Sequence, residues 1–340
     1  PTAIALQGST LLLHVDTRGA SYPVRVDPLV QQGEKLTGGP DEGATGLFGY
    51  AVALSSDGNT ALVGAPRDGE RVGAAWVFVR SGTTWTQQGP KLVGAGEVGE
   101  GRFGRSLALS SDGNTAVIGA PADGNYAGAA WVFQRSGSSW AQQGSKLAGG
   151  EEAGAFGHFG RAVALSADGN TALISAPNNL SGRGAAFVFE SSGSTWLQQG
   201  AKIVGSALVG EAHFGGSVAL SSDGTTAMVG GAGDDERAGA AWAFVHGVGG
   251  WTQQGPKLTG GEGAGPGAAS CFEEATEGEE EEGGCGFGRS VALSSDGNTA
   301  LVGGPRAGDQ TGAAWVFQRS GTAWAQQGAA LVAGAEIGQG

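Results

Sequence analysis

From Phe48 to Pro66 the chain reads FGYAVALSSDGNTALVGAP. Apolar residues alternate with small or polar ones on both sides of Asp57-Gly58-Asn59, the pattern of two short strands joined by a tight hairpin. Strand a is expected from Tyr50 to Leu54 and strand b from Thr60 to Ala65, ending in a Gly64-Ala65-Pro66 corner. After a variable polar stretch, Ala74 to Val79 reads as strand c, Ser81-Gly82 as a turn, and Trp85 to Leu92 as strand d. Four short antiparallel strands in one unit describe a propeller blade.

The unit recurs. Phe-Gly returns at Phe103, Phe159, Phe214 and Phe287, about 55 residues apart, with about 18 further residues inserted before Phe287. This divides the chain into repeats at 48–102, 103–158, 159–213, 214–286 and 287–340, the fourth carrying an insertion at 259–286. Residues 1–47 lack the Phe-Gly start but end in Gln31-Gln32-Gly33-Glu34-Lys35-Leu36, the strand d signature. They read as a divergent N-terminal blade or the end of a preceding β domain. The expected architecture is all-β: a β-propeller of six four-stranded blades, with seven as the alternative.

Composition agrees. The 340 residues include 68 glycines, far too many for a helical protein, and 11 prolines, too few for collagen. The hydrophobic share of 40% with 9 tryptophans leaves enough apolar surface for a core. A net charge of −13 argues against nucleic acid or an anionic membrane as partner, since both select a basic footprint. No apolar run has the length of a membrane span. The chain starts at Pro1 and its single methionine is Met228, so it reads as a processed product or a fragment.

The Phe-Gly start and the Gly-Ala-Pro corner resemble the FG-GAP repeat of integrin alpha-chain propellers and of bacterial surface proteins. The corners are Gly64-Ala65-Pro66, Gly119-Ala120-Pro121, Ser175-Ala176-Pro177, Gly230-Gly231-Ala232 and Gly303-Gly304-Pro305. The resemblance implies a propeller with strand a innermost, located outside the cell and engaged in recognition. Integrin-type blades also carry calcium in an Asp-x-Asp-x-Asp-Gly loop between strands a and b. The matching loops here offer one carboxylate each, Asp57, Asp112, Asp168, Asp223 and Asp296, too few for a tight site. They read as turns, and no cofactor is expected.

Other repeated residues invite two readings each. Tryptophans in strand c (Trp76, Trp131, Trp242, Trp315, with Phe187 once) and at the start of strand d (Trp85, Trp140, Trp196, Trp251, Trp324) could be sugar platforms, but packing between blades is the favoured reading. All five lysines, Lys35, Lys91, Lys146, Lys202 and Lys257, share one position in strand d, where Ala330 stands in the last copy. They read as charges that protect an exposed sheet edge. His158 and His213 share a position before Phe-Gly, a weak metal signal. Cys271 and Cys285 flank seven glutamates in the insertion and read as a disulfide closing an acidic loop in an oxidising compartment.

No arrangement of nucleophile, base and acid emerges, so no enzymatic activity is expected. The remaining candidate surface is the face carrying the b–c and d–a loops, where residues vary between units while the strands stay constant. Its ligand-contacting candidates are Arg67, Asp68, Arg71, Asp123, Tyr126, Asn178, Arg183, Asp234, Asp235, Arg237, Arg306 and Asp309. The functional expectation is an extracellular adhesion or ligand-binding module for a protein or glycan. The alternative is a self-associating subunit of a filament or sheath, and a carbohydrate-binding lectin ranks below both.

Overall fold

The computed structural model describes residues 2–7, 10–15, 33–261, 286–305, 307 and 312–332. Cys271, Cys285, Arg306 and Asp309 lie outside the described residues. The chain divides into two compact units, Pro1–Lys35 and Leu36–Gly340. In the first, β1 (Thr2–Gln7) and β2 (Thr10–Val15) form an antiparallel hairpin with Thr2 opposite Val15.

The second unit holds five sheets of four antiparallel strands, each a simple meander. The first is β3 (Ala51–Leu54), β4 (Thr60–Ala65), β5 (Ala74–Ser81) and β6 (Thr84–Gln87). The same order repeats in β7 to β10 (Ser106–Gln142), β11 to β14 (Val163–Gln198), β15 to β18 (Ser217–Gln253) and β19 to β22 (Ser290–Gln326). The sheets are β-propeller blades of the expected length and strand order.

Strand d differs from the expectation. It stops at Gln87, and Leu92 then returns to bridge Ala75. Gly89 takes a left-handed φ of 74° and its carbonyl accepts a hydrogen bond from the Gln87 side chain, so the Gln-Gln-Gly sequence bends the strand off the ladder.

Blade junctions explain most of the repeat. Leu62, Ala75, Val77 and Leu92 of the first blade pack against Phe103, Ile118, Trp131 and Phe133 of the second, and three more junctions use equivalent residues. Each Phe-Gly ring meets a strand c ring edge-on, as Phe103 does with Trp131 at 5.5 Å. The strand c aromatics are fully buried, as the packing reading requires.

The Phe-Gly glycines Gly104, Gly160, Gly215 and Gly288 are each pressed against the corner of the preceding blade. A Cβ on Gly64 would sit 2.1 Å from the Gly104 carbonyl oxygen, and Gly119 meets Gly160 in the same way. The two halves of the motif therefore touch across the blade boundary. The a–b hairpins are also linked in series: Ser56 donates its N–H to Ser111, Ser111 to Ala167, Ala167 to Ser222 and Ser222 to Ser295.

Candidate functional site

The b–c loops start from a buried anchor. Asp68 is almost inaccessible; its Oδ2 lies 2.6 Å from Lys91 Nζ, and its Oδ1 accepts the Gly43 N–H at 2.7 Å. Lys91 also donates to the Asp41 carbonyl. One cation thus ties the segment that follows strand d, the b–c loop and the d–a linker together. In the second blade Lys146 pairs with Asp123 at 2.5 Å, and Asp123 accepts the Val98 N–H. In the fourth, Lys257 pairs with Asp234, which accepts the Val209 N–H.

The third blade carries Asn179 in place of the aspartate. Lys202 donates to its Oδ1 and to the Glu152 carbonyl, and the Asn179 amide donates to that same carbonyl. In the fifth blade both partners change together: Ala307 stands where the acid would be and Ala330 where the lysine would be, and both join the apolar cluster. A charge buried without its partner costs several kcal/mol, so loss of both groups is the tolerable change.

These contacts correct the edge reading of the lysines. Lys91, Lys146 and Lys257 hold salt bridges to carboxylates that are at most 3% exposed, so their ammonium groups are not projected along a free sheet edge. Asp68, Asp123 and Asp234 are correspondingly buried under the loops they begin.

Beyond the anchor the backbone turns left-handed. Glu70, Arg71, Asn125, Tyr126, Leu180, Ser181, Asp235, Glu236 and Arg237 all have positive φ, in the same loop of successive blades. Each turn closes when the glycine before strand c donates to the anchor residue's carbonyl: Gly73 to Asp68, Gly128 to Asp123, Gly184 to Asn179 and Gly239 to Asp234. Non-glycine residues in this region cost about 1 kcal/mol or more each and persist where surrounding contacts over-determine them.

The side chains displayed on this frame differ from blade to blade. Arg183 and Asp235 are exposed, whereas Arg67, Arg71, Tyr126, Asn178 and Arg237 are half-buried. Arg71 faces Glu100 at 3.5 Å, and the Tyr126 ring stacks on His158 at 5.3 Å. Asn178 Oδ1 lies 3.1 Å from His213 Nδ1. The two histidines thus have separate partners, Tyr126 for one and Asn178 for the other.

The a–b turns are closed by their own carboxylates. Asp57 Oδ1 accepts from Ser55 Oγ and from the Asn59 N–H, and Oδ2 accepts from the Asn59 side chain. These hydrogen bonds, that from Ser55 first, hold the Asp57 carboxyl down to about 2, and Asp296 is likewise held at about 2. Asp112, Asp168 and Asp223 accept from the equivalent serines. No group of three metal-ligating side chains occurs among the described residues. No helix among them is long and apolar enough to cross a membrane.

Strand d tryptophans mark a second feature. Trp140, Trp196 and Trp324 each donate their indole N–H to a glutamine of the preceding blade, Gln88, Gln143 and Gln254. Trp251 does not: its Nε1 is buried with no partner. At that junction, between the third and fourth blades, a groove of about 500 Å³ opens beside Gln199, His246, Gly249, Gly250 and Trp251.

The sequence model of the FG-GAP repeat matches residues 30–78 and 85–133, two windows that each end within strand c. No curated protein matches the chain. Among solved structures, a functionally unknown protein from Desulfotomaculum acetoxidans DSM 771 is similar over 82% of this chain and 68% of its own, with 12% identity and a TM-score of 0.51. Hydrazine synthase of Kuenenia stuttgartiensis matches over 88% of this chain and 69% of its own, at 12% identity and a TM-score of 0.47. TolB from Acinetobacter baumannii matches over 82% of this chain at 11% identity and a TM-score of 0.42. The chain spans 55% of that TolB chain. Over residues 30–78 and 85–133 the chain is thus similar to the FG-GAP repeat, and the same Phe-Gly unit recurs in the later blades.

Proposed function

We propose that the chain is a non-enzymatic recognition module that works outside the cell and presents its b–c and d–a loop face to a protein or glycan partner. One observation carries this reading: side chains that differ between blades stand on loops whose backbone is nearly identical, fixed by the anchor at position 68, 123, 179 or 234. A rigid frame with variable display lowers the ordering cost of binding. The extracellular location rests on the FG-GAP resemblance.

The test is binding of the labelled chain to arrays of glycans and of extracellular proteins, repeated with Arg71, Tyr126, Arg183 and Arg237 all changed to alanine. The reading predicts a specific signal that the variant loses at least about tenfold, because aromatic and arginine contacts dominate interface energy. A signal unchanged in a variant of unaltered melting temperature would remove the loop face from the account.

A further inference from the structure

The groove between the third and fourth blades is a local departure from the repeat, and three independent observations meet in it. First, the indole-to-glutamine hydrogen bond found at three other junctions is missing. Trp251 Nε1–H has no acceptor, so the Gln199 carboxamide, which occupies the position of Gln88 and Gln143, does not take the indole hydrogen bond that those glutamines take. Second, the c–d turn has glycines at three positions where the second blade has serines. Where the second blade has Arg135-Ser136-Gly137-Ser138-Ser139, the fourth has His246-Gly247-Val248-Gly249-Gly250. Third, an opening of about 500 Å³ lies at this place, with Gln199 and Trp251 both in its wall.

The lining is chemically mixed. His246 stacks on Trp251 with ring centroids 5.4 Å apart, where Arg135 lies over Trp140 in the second blade. Phe244 and Ile203 add apolar wall, and Ser206 adds a polar one. Lys202 also lines the groove, but its ammonium is engaged by Asn179 and the Glu152 carbonyl. Gln253 is likewise engaged, accepting the Ser206 N–H and donating to Gly255. The groove therefore offers one donor without an acceptor, on an aromatic ring, and in the same wall one partly exposed carboxamide that both donates and accepts.

A neutral ligand bearing several hydroxyls against a compact apolar ring answers both needs. A buried polar group left without a partner costs on the order of 1–3 kcal/mol, which a ligand hydroxyl recovers on binding. An anion is disfavoured by the chain's charge of −13. We propose that this groove is a saccharide-binding site, in which hydroxyls of one pyranose ring pair with Trp251 Nε1–H and the Gln199 carboxamide beside the His246–Trp251 stack. The groove adjoins the d–a linker through Ser206, but none of Arg71, Tyr126, Arg183 and Arg237 of the loop face lines it, so the two sites are tested by different variants.

Saturation-transfer NMR on the full chain tests it, with glucose, galactose, mannose and N-acetylglucosamine each at on the order of 10 mM, a range suited to single-sugar affinities. The expected result is transfer to at least one sugar, lost at least tenfold in Trp251→Phe, which keeps the ring and removes only the N–H, and in Gln199→Leu. Trp140→Phe, at a junction whose tryptophan already has its glutamine, leaves the signal intact. Gly249→Leu is a second probe: Gly249 lines the groove, a Cβ there meets nothing within 4 Å, and the added side chain is expected to obstruct the opening while leaving the fold intact. No transfer to any of the four sugars overturns the proposal. So does transfer that survives both Trp251→Phe and Gly249→Leu in variants that melt at the wild-type temperature.

Discussion

Lys91 Nζ sits 2.6 Å from Asp68 Oδ2, joining the segment that follows strand d of a blade to the loop that precedes its strand c. The carboxylate is 3% exposed and the lysine 30%, so the ion pair is shielded on one side and reaches water on the other. Its copies recur in the second and fourth blades, and the fifth replaces both partners with alanine.

Breaking one half of the pair is predicted to be worse than removing both. Lys146→Ala leaves Asp123 as a buried, uncompensated carboxylate and should cost about 3 kcal/mol. The double change Asp123→Ala with Lys146→Ala, which imitates Ala307 and Ala330, should cost less than Lys146→Ala alone. Urea unfolding of Lys146→Ala, Asp123→Ala and the double variant measures this; additive costs would mean that the two groups are not coupled.

Corner glycines should differ by position. Gly119→Ala drives a methyl to 2.1 Å from the Gly160 carbonyl oxygen, a backbone clash that forces the blades apart. A loss of about 3 kcal/mol or more is expected. At Gly303 the corresponding methyl meets only the Ser290 hydroxyl closely, a group that can rotate away. Gly303→Ala should therefore lower the melting temperature far less than Gly119→Ala, and equal losses would refute the junction account.

Stability should fall as pH rises through neutrality. Burial, and next the charge of nearby Asp123, push the Glu97 carboxyl from 4.5 up to about 8. The folded chain then binds more protons than the unfolded one between those two values, so folding weakens as pH climbs from about 4.5 to 8. The equivalent residue in the fourth blade is Leu208. Glu97→Leu should flatten the decline in melting temperature between pH 5 and about pH 8, and a slope identical to wild type would show that Glu97 is ionised at no cost.

Acid should act through the a–b turns in the opposite sense. The Asp57 and Asp296 carboxyls are held at about 2 against an ordinary 3.8, so their contribution is complete above 3.8 and is lost as pH drops towards 2. Because the same turn donors already occupy these carboxylates, calcium at on the order of 1 mM should leave the melting temperature unchanged. A rise on adding calcium would show that these turns hold a metal ion.

Much of the fold is legible in the sequence. Alternating residues around Asp57-Gly58-Asn59 and the return of Phe-Gly give the strands and blades, because hairpin chemistry and side-chain alternation are local. The Gly-Ala-Pro corner reads as a turn, but its second duty, contact with the next blade's glycine, is visible only in three dimensions. The Lys91–Asp68 pair was hidden for the same reason: 23 residues separate the partners, and no local pattern links them. The joint appearance of Ala307 and Ala330 is the signal that connects those positions. The Gln199–Trp251 gap is likewise written in Gly249 and Gly250, but it has meaning only once the other tryptophans are seen to be paired.

Amide hydrogen exchange tests the central claim most directly, that variable side chains stand on a rigid frame. The Gly73, Gly128, Gly184 and Gly239 amides, which close the four left-handed turns at 2.8–2.9 Å, should exchange as slowly as amides within the strands. Lys146→Ala should speed exchange at Gly128 alone. Exchange of all four at the rate of freely exposed loops would contradict the account.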